Sequence, residues 1–183
     1  DLNEIVTFCK ANNILTIADE VMTGFGKTGK YFASDFIETK PDIICLSKAL
    51  TAGLVPMAIT SCTEAIYTAF LSNDIGKGFF HCHTYSANPT ACAAAIATIE
   101  LLQTHDIQNN IQQIITSHKV FNERIKNHPK VKSTRQIGVI FALDLNTKNE
   151  RYGDLRDKLL KFFMKNGVFL RPLGNTIYIQ VPY

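Results

Sequence analysis

The sequence predicts an α/β fold, in which the strands of a mostly parallel sheet alternate with helices on both faces. Two short apolar runs, residues 14–18 and 43–46, are rich in β-branched side chains, and polar residues follow each at once. This pattern is typical of buried parallel strands. A third observation is the alanine-rich stretch 89–102, whose small side chains allow a helix to pack closely on a sheet.

The elements of the first half follow this alternation. Apolar residues at helical spacing predict a helix over residues 2–13, which Asn12 and Asn13 end. Asn88 and Pro89 predict another helix start, because proline is favoured in the first helical turn. The other predicted elements are buried strands at 14–18 and 43–46, a glycine-rich loop at 24–29, an apolar segment at 56–60, a helix at 63–71 and a loop at 73–78.

The pattern changes near residues 104–106, from an α/β arrangement to a smaller α+β one. We therefore predict that residues 1–104 are part of a large domain and that residues 105–183 form a small, incomplete C-terminal domain. The predicted elements of this half are helices at 107–127 and 154–166, the second stopped by Gly167, and strands at 131–135, 139–145, 168–171 and 176–181.

Composition excludes several classes of protein. With 46% hydrophobic and 19% charged residues the chain is globular, and a net charge of +3 without a basic run disfavours nucleic-acid binding. No apolar run reaches the roughly 18 residues of a membrane span. The five cysteines are odd in number and form no CxxC pair, which favours reduced thiols and a cytoplasmic location. The chain begins without Met, and both ends are expected to be cuts through a longer protein.

Two residues could carry chemistry together. Asp19 and Lys48 each follow a predicted parallel strand, and ligands of such sheets gather at the carboxyl ends of strands. A carboxylate can hold a proton on a heteroaromatic nitrogen, and a partly desolvated lysine is a better nucleophile. Pyridoxal 5'-phosphate (PLP) needs this acid and this imine-forming lysine. Taken alone, the pair also fits ordinary polar residues at strand ends.

The motifs around these residues resemble class III aminotransferases. Residues 19–30 (DEVMTGFGKTGK) and 41–50 (PDIICLSKAL) are similar to the family's two signature segments, with Lys27 where the family usually has Arg. The resemblance covers essentially the whole chain. Residues 171–178 (RPLGNTIY) and 181–183 (VPY) are most similar to the subfamily of adenosylmethionine-8-amino-7-oxononanoate aminotransferases, the diaminopelargonate synthases of biotin biosynthesis.

This resemblance implies PLP fold type I, with residues 1–104 in the PLP-binding domain, and a homodimer with shared active sites. It implies that Lys48 forms the Schiff base with PLP and moves protons, while Asp19 pairs with the pyridinium nitrogen. Thr84 would bind the cofactor phosphate of the partner subunit. The implied substrate-binding residues are Arg171, Tyr178 and His83, the last in a stretch where some relatives have Gly-Pro.

The implied reaction transfers an amino group from S-adenosylmethionine to 7-keto-8-aminopelargonate, which gives 7,8-diaminopelargonate. The alternatives are another class III ω-aminotransferase acting on ornithine or 4-aminobutyrate, lysine as the donor in the same biotin step, and an inert folded segment. Family members bind PLP partly through a phosphate loop and a stacking aromatic upstream of Asp19. The 183-residue chain alone is therefore expected to bind PLP poorly or not at all.

Other interpretations of the motifs compete with this one. Gly24, Gly26 and Gly29 match GxGxxG after a strand, which would indicate an NAD-binding oxidoreductase, and residues 26–28 resemble part of a P-loop. Two acids precede the loop and would repel a pyrophosphate. His81, Cys82 and His83 lack a further ligand at metal spacing, so no metal site is predicted.

Overall fold

The computed structural model describes residues 1–147 and 153–183, and the chain divides into two compact units. The first unit consists of Asp1–Gly26 and Lys30–Thr104, and the second consists of Lys27–Gly29 and His105–Tyr183. The α-helices are α1 (Leu2–Ala11), α2 (Glu64–Thr68), α3 (Pro89–Leu102), α4 (His105–Ile125) and α5 (Asp154–Lys165). The strands are β1 (Ile17–Asp19), β2 (Ile43–Leu46), β3 (Ile59–Cys62), β4 (Val131–Ile137), β5 (Ile140–Leu145) and β6 (Thr176–Gln180).

The sheet of the first unit has the order β1-β2-β3. The predicted parallel pairing of the first two strands is confirmed, with Asp19 opposite Cys45. The predicted apolar segment 56–60 forms its strand slightly later, as β3, and this strand runs antiparallel to β2. The described part of the sheet is therefore mixed.

The prediction that residues 14–18 are buried is wrong. Ile14, Leu15 and Ile17 are exposed, Ile17 by 64%. The physical reason is that the rest of the described chain does not pack over these apolar side chains. Apolar composition alone cannot distinguish such a strand from a buried one.

Helix boundaries in the first unit follow from their capping residues. Asp1 accepts the N–H of Glu4, and the Glu4 side chain returns to the Asp1 amino group, so α1 begins with a capping box. Asn88 accepts the N–H of Ala91 at 3.1 Å and starts α3 with Pro89 in the first turn, as predicted. Ala91 and Ala95 are buried, so alanine side chains of α3 form part of its packed surface.

The sheet of the second unit is antiparallel, in the order β4-β5-β6. Phe141, Leu143 and Ile177 form the centre of its core, and α5 contributes Leu159 and Phe163. These side chains lie on one face because residues alternate across a strand.

The chain after α5 differs from the prediction. Gly167, at φ +72°, ends the helix as predicted. Residues 168–171, however, were predicted to form a strand and do not. The Val168 N–H donates to the Phe163 carbonyl at 3.0 Å, so the first residue of the predicted strand is used to close the helix. Within the described residues, no helix is long and apolar enough to cross a membrane.

Candidate active site

Asp19 lies at the carboxyl end of β1. Its carboxylate is exposed and accepts the Val21 N–H at 3.1 Å. This short-range bond orients the carboxylate at the strand end and leaves lone pairs free for a further donor.

Lys48 lies at the same end of the sheet, where the carboxyl ends of β1 and β2 meet. Asp19 is opposite Cys45 in the parallel register, and Lys48 follows Cys45 by three residues, just beyond the end of β2. Its side chain is exposed, and its backbone has φ +46°, in the left-handed region. Residues with a Cβ rarely adopt this conformation, and such strain concentrates at functional sites.

Glu20 has a different role from Asp19, which the sequence did not reveal. It is only 2% exposed. Thr23 Oγ1 and the Ser34 N–H each donate to its carboxylate at 2.6 Å, and the Ala33 N–H does so at 2.9 Å. Burial alone would raise the pKa of Glu20, but these bonds outweigh it and lower the pKa. The ionised side chain thus anchors residues 33 and 34 next to the strand that carries Asp19.

Thr84 and His83 lie in the exposed segment before α3. The His83 N–H donates to Ser86 Oγ at 3.1 Å, and the His83 carbonyl accepts the Ser86 N–H at 2.9 Å. These bonds form a local turn that includes Thr84. Among the described residues, neither side chain hydrogen-bonds Asp19 or Lys48. The imidazole of His83 instead contacts that of His81, with ring centroids 5.3 Å apart.

Arg171 and Tyr178 belong to the second unit. Arg171 is exposed and lies two residues before Leu173, which bridges to Thr176 across the turn into β6. Tyr178 pairs with Ala142 of β5 and lies on the face opposite the apolar core, where it is 39% exposed. The positions of these residues are described only within their own unit.

A polar cluster occupies the same face of that sheet. Asp144 accepts hydrogen bonds from Arg135 Nη1 at 2.5 Å, Thr176 Oγ1 at 2.6 Å and Ser133 Oγ at 2.7 Å. Its interaction with the Arg135 guanidinium is the main reason that the pKa of Asp144 falls to about 2. The cluster joins all three strands through side chains, in addition to their backbone ladder.

The glycine loop does not have the geometry of a nucleotide site. Residues 24–28 lie in turns, and the next helical element is the short 3-10 helix Ala33–Phe36. A dinucleotide or P-loop site needs a helix N-terminus opening at the glycines. Lys27 is instead directed at the ring of Tyr183, 4.9 Å from its centroid, and burial lowers the Lys27 pKa. No metal-binding group of three or more His, Cys, Asp or Glu occurs in the part of the chain that the structure describes.

Comparison with known proteins gives a consistent result. The model of the class III aminotransferase family matches residues 2–183. The adenosylmethionine-8-amino-7-oxononanoate aminotransferase of Synechococcus elongatus is 43% identical over the whole chain, which covers 43% of that relative. The bifunctional dethiobiotin synthetase/7,8-diamino-pelargonic acid aminotransferase of Arabidopsis thaliana is 36% identical over 96% of the chain, which covers 22% of that relative.

Solved structures agree with this. The crystal structure of adenosylmethionine-8-amino-7-oxononanoate aminotransferase from Methanocaldococcus jannaschii has a TM-score of 0.88 at 34% identity and covers 99% of the chain and 44% of its own. An amine transaminase from an uncultivated Pseudomonas species, in a PLP-bound form, has a TM-score of 0.86 at 31% identity, covering 99% of this chain and 42% of its own. The predicted fold class, a partial PLP fold type I, is confirmed. The chain spans less than half the length of these relatives, and it belongs to the class III aminotransferase family.

Proposed function

We propose that the protein carrying this chain is a PLP-dependent aminotransferase of biotin biosynthesis. It converts 7-keto-8-aminopelargonate to 7,8-diaminopelargonate, with S-adenosylmethionine as the amino donor. The observation that carries this proposal is the placement of Asp19 and Lys48 at one end of the sheet, in a chain 43% identical over its whole length to a relative named for this reaction.

The residues at this end of the sheet fit PLP. An exposed carboxylate and an exposed lysine amine, at the ends of neighbouring parallel strands, supply the acid for the ring nitrogen and the amine for the aldehyde. When bound, the cofactor withdraws electrons from the substrate carbon that carries the amino group and so makes its proton acidic. The assignment of residues 1–104 to the PLP-binding domain and of 105–183 to the small domain is part of this proposal.

Lys48 and Asp19 have separate tasks. Asp19 would hold a proton on the cofactor ring nitrogen through its charge. Lys48 would hold the cofactor through Nζ. As a free amine, Nζ would take the proton from the substrate carbon and later return one, as a general base and acid. The Lys48 backbone, with φ +46°, sets the direction in which the side chain leaves the main chain.

The substrate-binding residues are proposed from the family motif. Arg171 has an exposed, planar guanidinium suited to bind a substrate carboxylate with two parallel hydrogen bonds. Tyr178 presents a half-exposed ring on the polar face of its sheet, where it would line the pocket. His83 would contact substrate from the loop before α3.

We also propose a homodimer in which Thr84 binds the cofactor phosphate of the partner subunit. The segment around Thr84 is unusually apolar for an exposed one, with Phe79, Phe80 and Tyr85 each exposed by two-thirds or more. Exposed aromatic clusters of this kind mark protein interfaces. The cytoplasmic location, based on the unpaired cysteines, belongs to the same proposal.

Borohydride trapping tests the chemistry. The protein carrying this chain, at its full natural length, is loaded with PLP, reduced and digested, and mass spectrometry locates the cofactor. We expect the label on Lys48, and its loss in Lys48→Arg, which keeps the charge but cannot form the bond. The exposed Lys40, which contacts Asp35, provides the matched control Lys40→Arg. A label elsewhere would contradict the assignment.

A donor screen tests the substrate. Each assay contains 7-keto-8-aminopelargonate as the acceptor and one amino donor: S-adenosylmethionine, lysine, ornithine or 4-aminobutyrate. The product 7,8-diaminopelargonate is measured directly. We expect turnover with S-adenosylmethionine. Turnover with ornithine or 4-aminobutyrate on other acceptors, and none on this one, would assign the protein to another branch of the family.

A further inference from the structure

The backbone at Lys48 is held in an unfavourable conformation. Its φ of +46° places the residue in the left-handed region, which brings Cβ close to neighbouring backbone and is unfavourable for residues other than glycine. Lys48 is also the first residue of the 3-10 helix Lys48–Thr51. Such strain persists only where the surroundings determine the conformation, so some contact must hold it.

Two hydroxyl groups flank Lys48 and tie its segment to the chain that follows. Ser47 Oγ donates to the Met57 carbonyl at 2.7 Å, and Thr51 Oγ1 donates to the Val55 carbonyl at 2.6 Å. Thr51 is 2% exposed. Both acceptors are backbone carbonyls, so each bond ties a side chain of this segment to the main chain across the loop.

The loop between these bonds is held within itself by turn bonds of the backbone. Ala52 and Gly53 also have positive φ, +51° and +80°, and both are exposed, as is Leu54. The turn bonds run from Leu50 N–H to Ser47 O, from Ala52 N–H to Ala49 O and from Leu54 N–H to Thr51 O, each 3.0 Å long. The two hydroxyl groups therefore join the ends of a loop with several positive φ angles. The buried side chain of Leu50, which is 2% exposed, also holds this loop in place.

We infer that Ser47 and Thr51 are positioning residues, which hold the Lys48 amine in the direction that its chemistry requires. The inference rests on the proposed function. Without these bonds φ of Lys48 would relax to a negative value. Because Cβ turns with the backbone, the amine at the end of the side chain would then point elsewhere. A backbone carbonyl that loses its hydroxyl donor is also destabilising.

The test uses the full-length protein with Thr51→Val, which removes the hydroxyl at nearly constant shape, and Thr51→Ser, which restores it. Ser47→Ala is the second loss variant, should Thr51→Val fail to fold. Thr98→Val is the matched control, because Thr98 Oγ1 also donates to a backbone carbonyl, that of Ala94, at 2.8 Å. That bond lies within α3, where the helix itself fixes the backbone.

Tm is measured for every variant, together with three functional quantities: the Kd of the apoprotein for PLP, the rate of borohydride labelling of Lys48, and kcat. We expect Thr51→Val and Ser47→Ala to lower kcat and labelling on the order of tenfold and to raise the Kd, because a small displacement of a reacting group has a large effect on rate. Thr51→Ser should return all three to within about twofold. Thr98→Val should lower only Tm.

Two outcomes overturn the inference. Folded Thr51→Val and Ser47→Ala proteins with parental Kd, labelling rate and kcat would show that the hydroxyls are merely structural. Equal effects of Thr51→Val and Thr98→Val would show the same. Neither outcome touches the proposed function, which depends on labelling of Lys48 in the parent and fails separately if another residue is labelled.

Discussion

Replacing Gly138 with alanine should strongly destabilise the second unit. Gly138 lies in the turn between β4 and β5, at φ +53°. A Cβ added there would lie 2.2 Å from the Thr28 carbonyl carbon, 2.3 Å from the Gly29 nitrogen and 2.4 Å from the Lys27 oxygen. All three are backbone atoms, so no side chain can rotate away.

The magnitude follows from two contributions. A left-handed conformation costs an alanine about 1 to 2 kcal/mol. Backbone must also move by roughly 1 Å to remove the overlap, and forced overpacking adds about 1 to 3 kcal/mol. The hydrogen bond from the Val139 N–H to the Lys27 carbonyl, 3.1 Å long, resists that movement. We therefore expect a loss of about 2 to 5 kcal/mol in the free energy of unfolding.

The matched control is Gly167→Ala in the same unit. Gly167 has φ +72°, but nothing lies within 4 Å of its Cβ position, so only the conformational contribution remains, about 1 to 2 kcal/mol. Thermal unfolding of the full-length protein measures both variants. At about 2 to 4 °C per kcal/mol, Tm should fall by roughly 10 °C for Gly138→Ala and roughly 4 °C for Gly167→Ala. Equal decreases would refute the close approach as the cause.

Further predictions concern buried and paired carboxylates. Asp144→Asn should lower stability at pH 7 by about 1 to 2 kcal/mol, since Arg135 is half exposed and water screens the pair. The Asp144 pKa of about 2 is below the unfolded value of about 3.9, so this contribution is complete above that value and is lost as pH falls towards 2. The difference in the free energy of unfolding between the parent and Asp144→Asn should be smaller at pH 3 than at pH 7. An equal difference at the two pH values would contradict this prediction. Glu20→Gln places an amide among three donors and should cost about 2 to 4 kcal/mol, whereas exposed Glu38→Gln should cost less than about 0.5 kcal/mol. Chemical denaturation measures the free energy of unfolding of both variants. Similar losses would exclude the buried hydrogen bonds of Glu20 as the cause of the destabilisation.

Much of the fold followed from local patterns. The Asn88 cap with Pro89, the stop at Gly167 and the parallel pairing that sets Asp19 near the end of β2 all depend on residues close in sequence. Such features can be predicted from the sequence because their physical causes operate over a few residues. These causes are capping, a positive φ and alternating hydrophobicity.

Other features depended on the fold itself. Asp19 and Glu20 are adjacent acids, and only the sheet decides that one is exposed and the other buried. The direction of β3 depends on how the chain returns to the sheet, and the exposure of Ile17 depends on what packs over β1. The roles of Ser47 and Thr51 depend on carbonyl acceptors that no motif records. The tasks given to Asp19, Lys48, Thr84, Arg171, Tyr178 and His83 stay predictions.

The approach of Gly29 to Gly138 has an evolutionary consequence. A Cβ on Gly138 would overlap the backbone of residues 27–29, and a Cβ on Gly29 would lie 3.3 Å from the Cα of Gly138, a tight contact at a positive φ of 89°. A mutation at one cannot be compensated by a change at the other, because neither can become smaller. We therefore expect the two positions to be inherited together, as one discontinuous motif, although most of the chain separates them. A search pattern restricted to residues 24–29 would describe only half of this constraint.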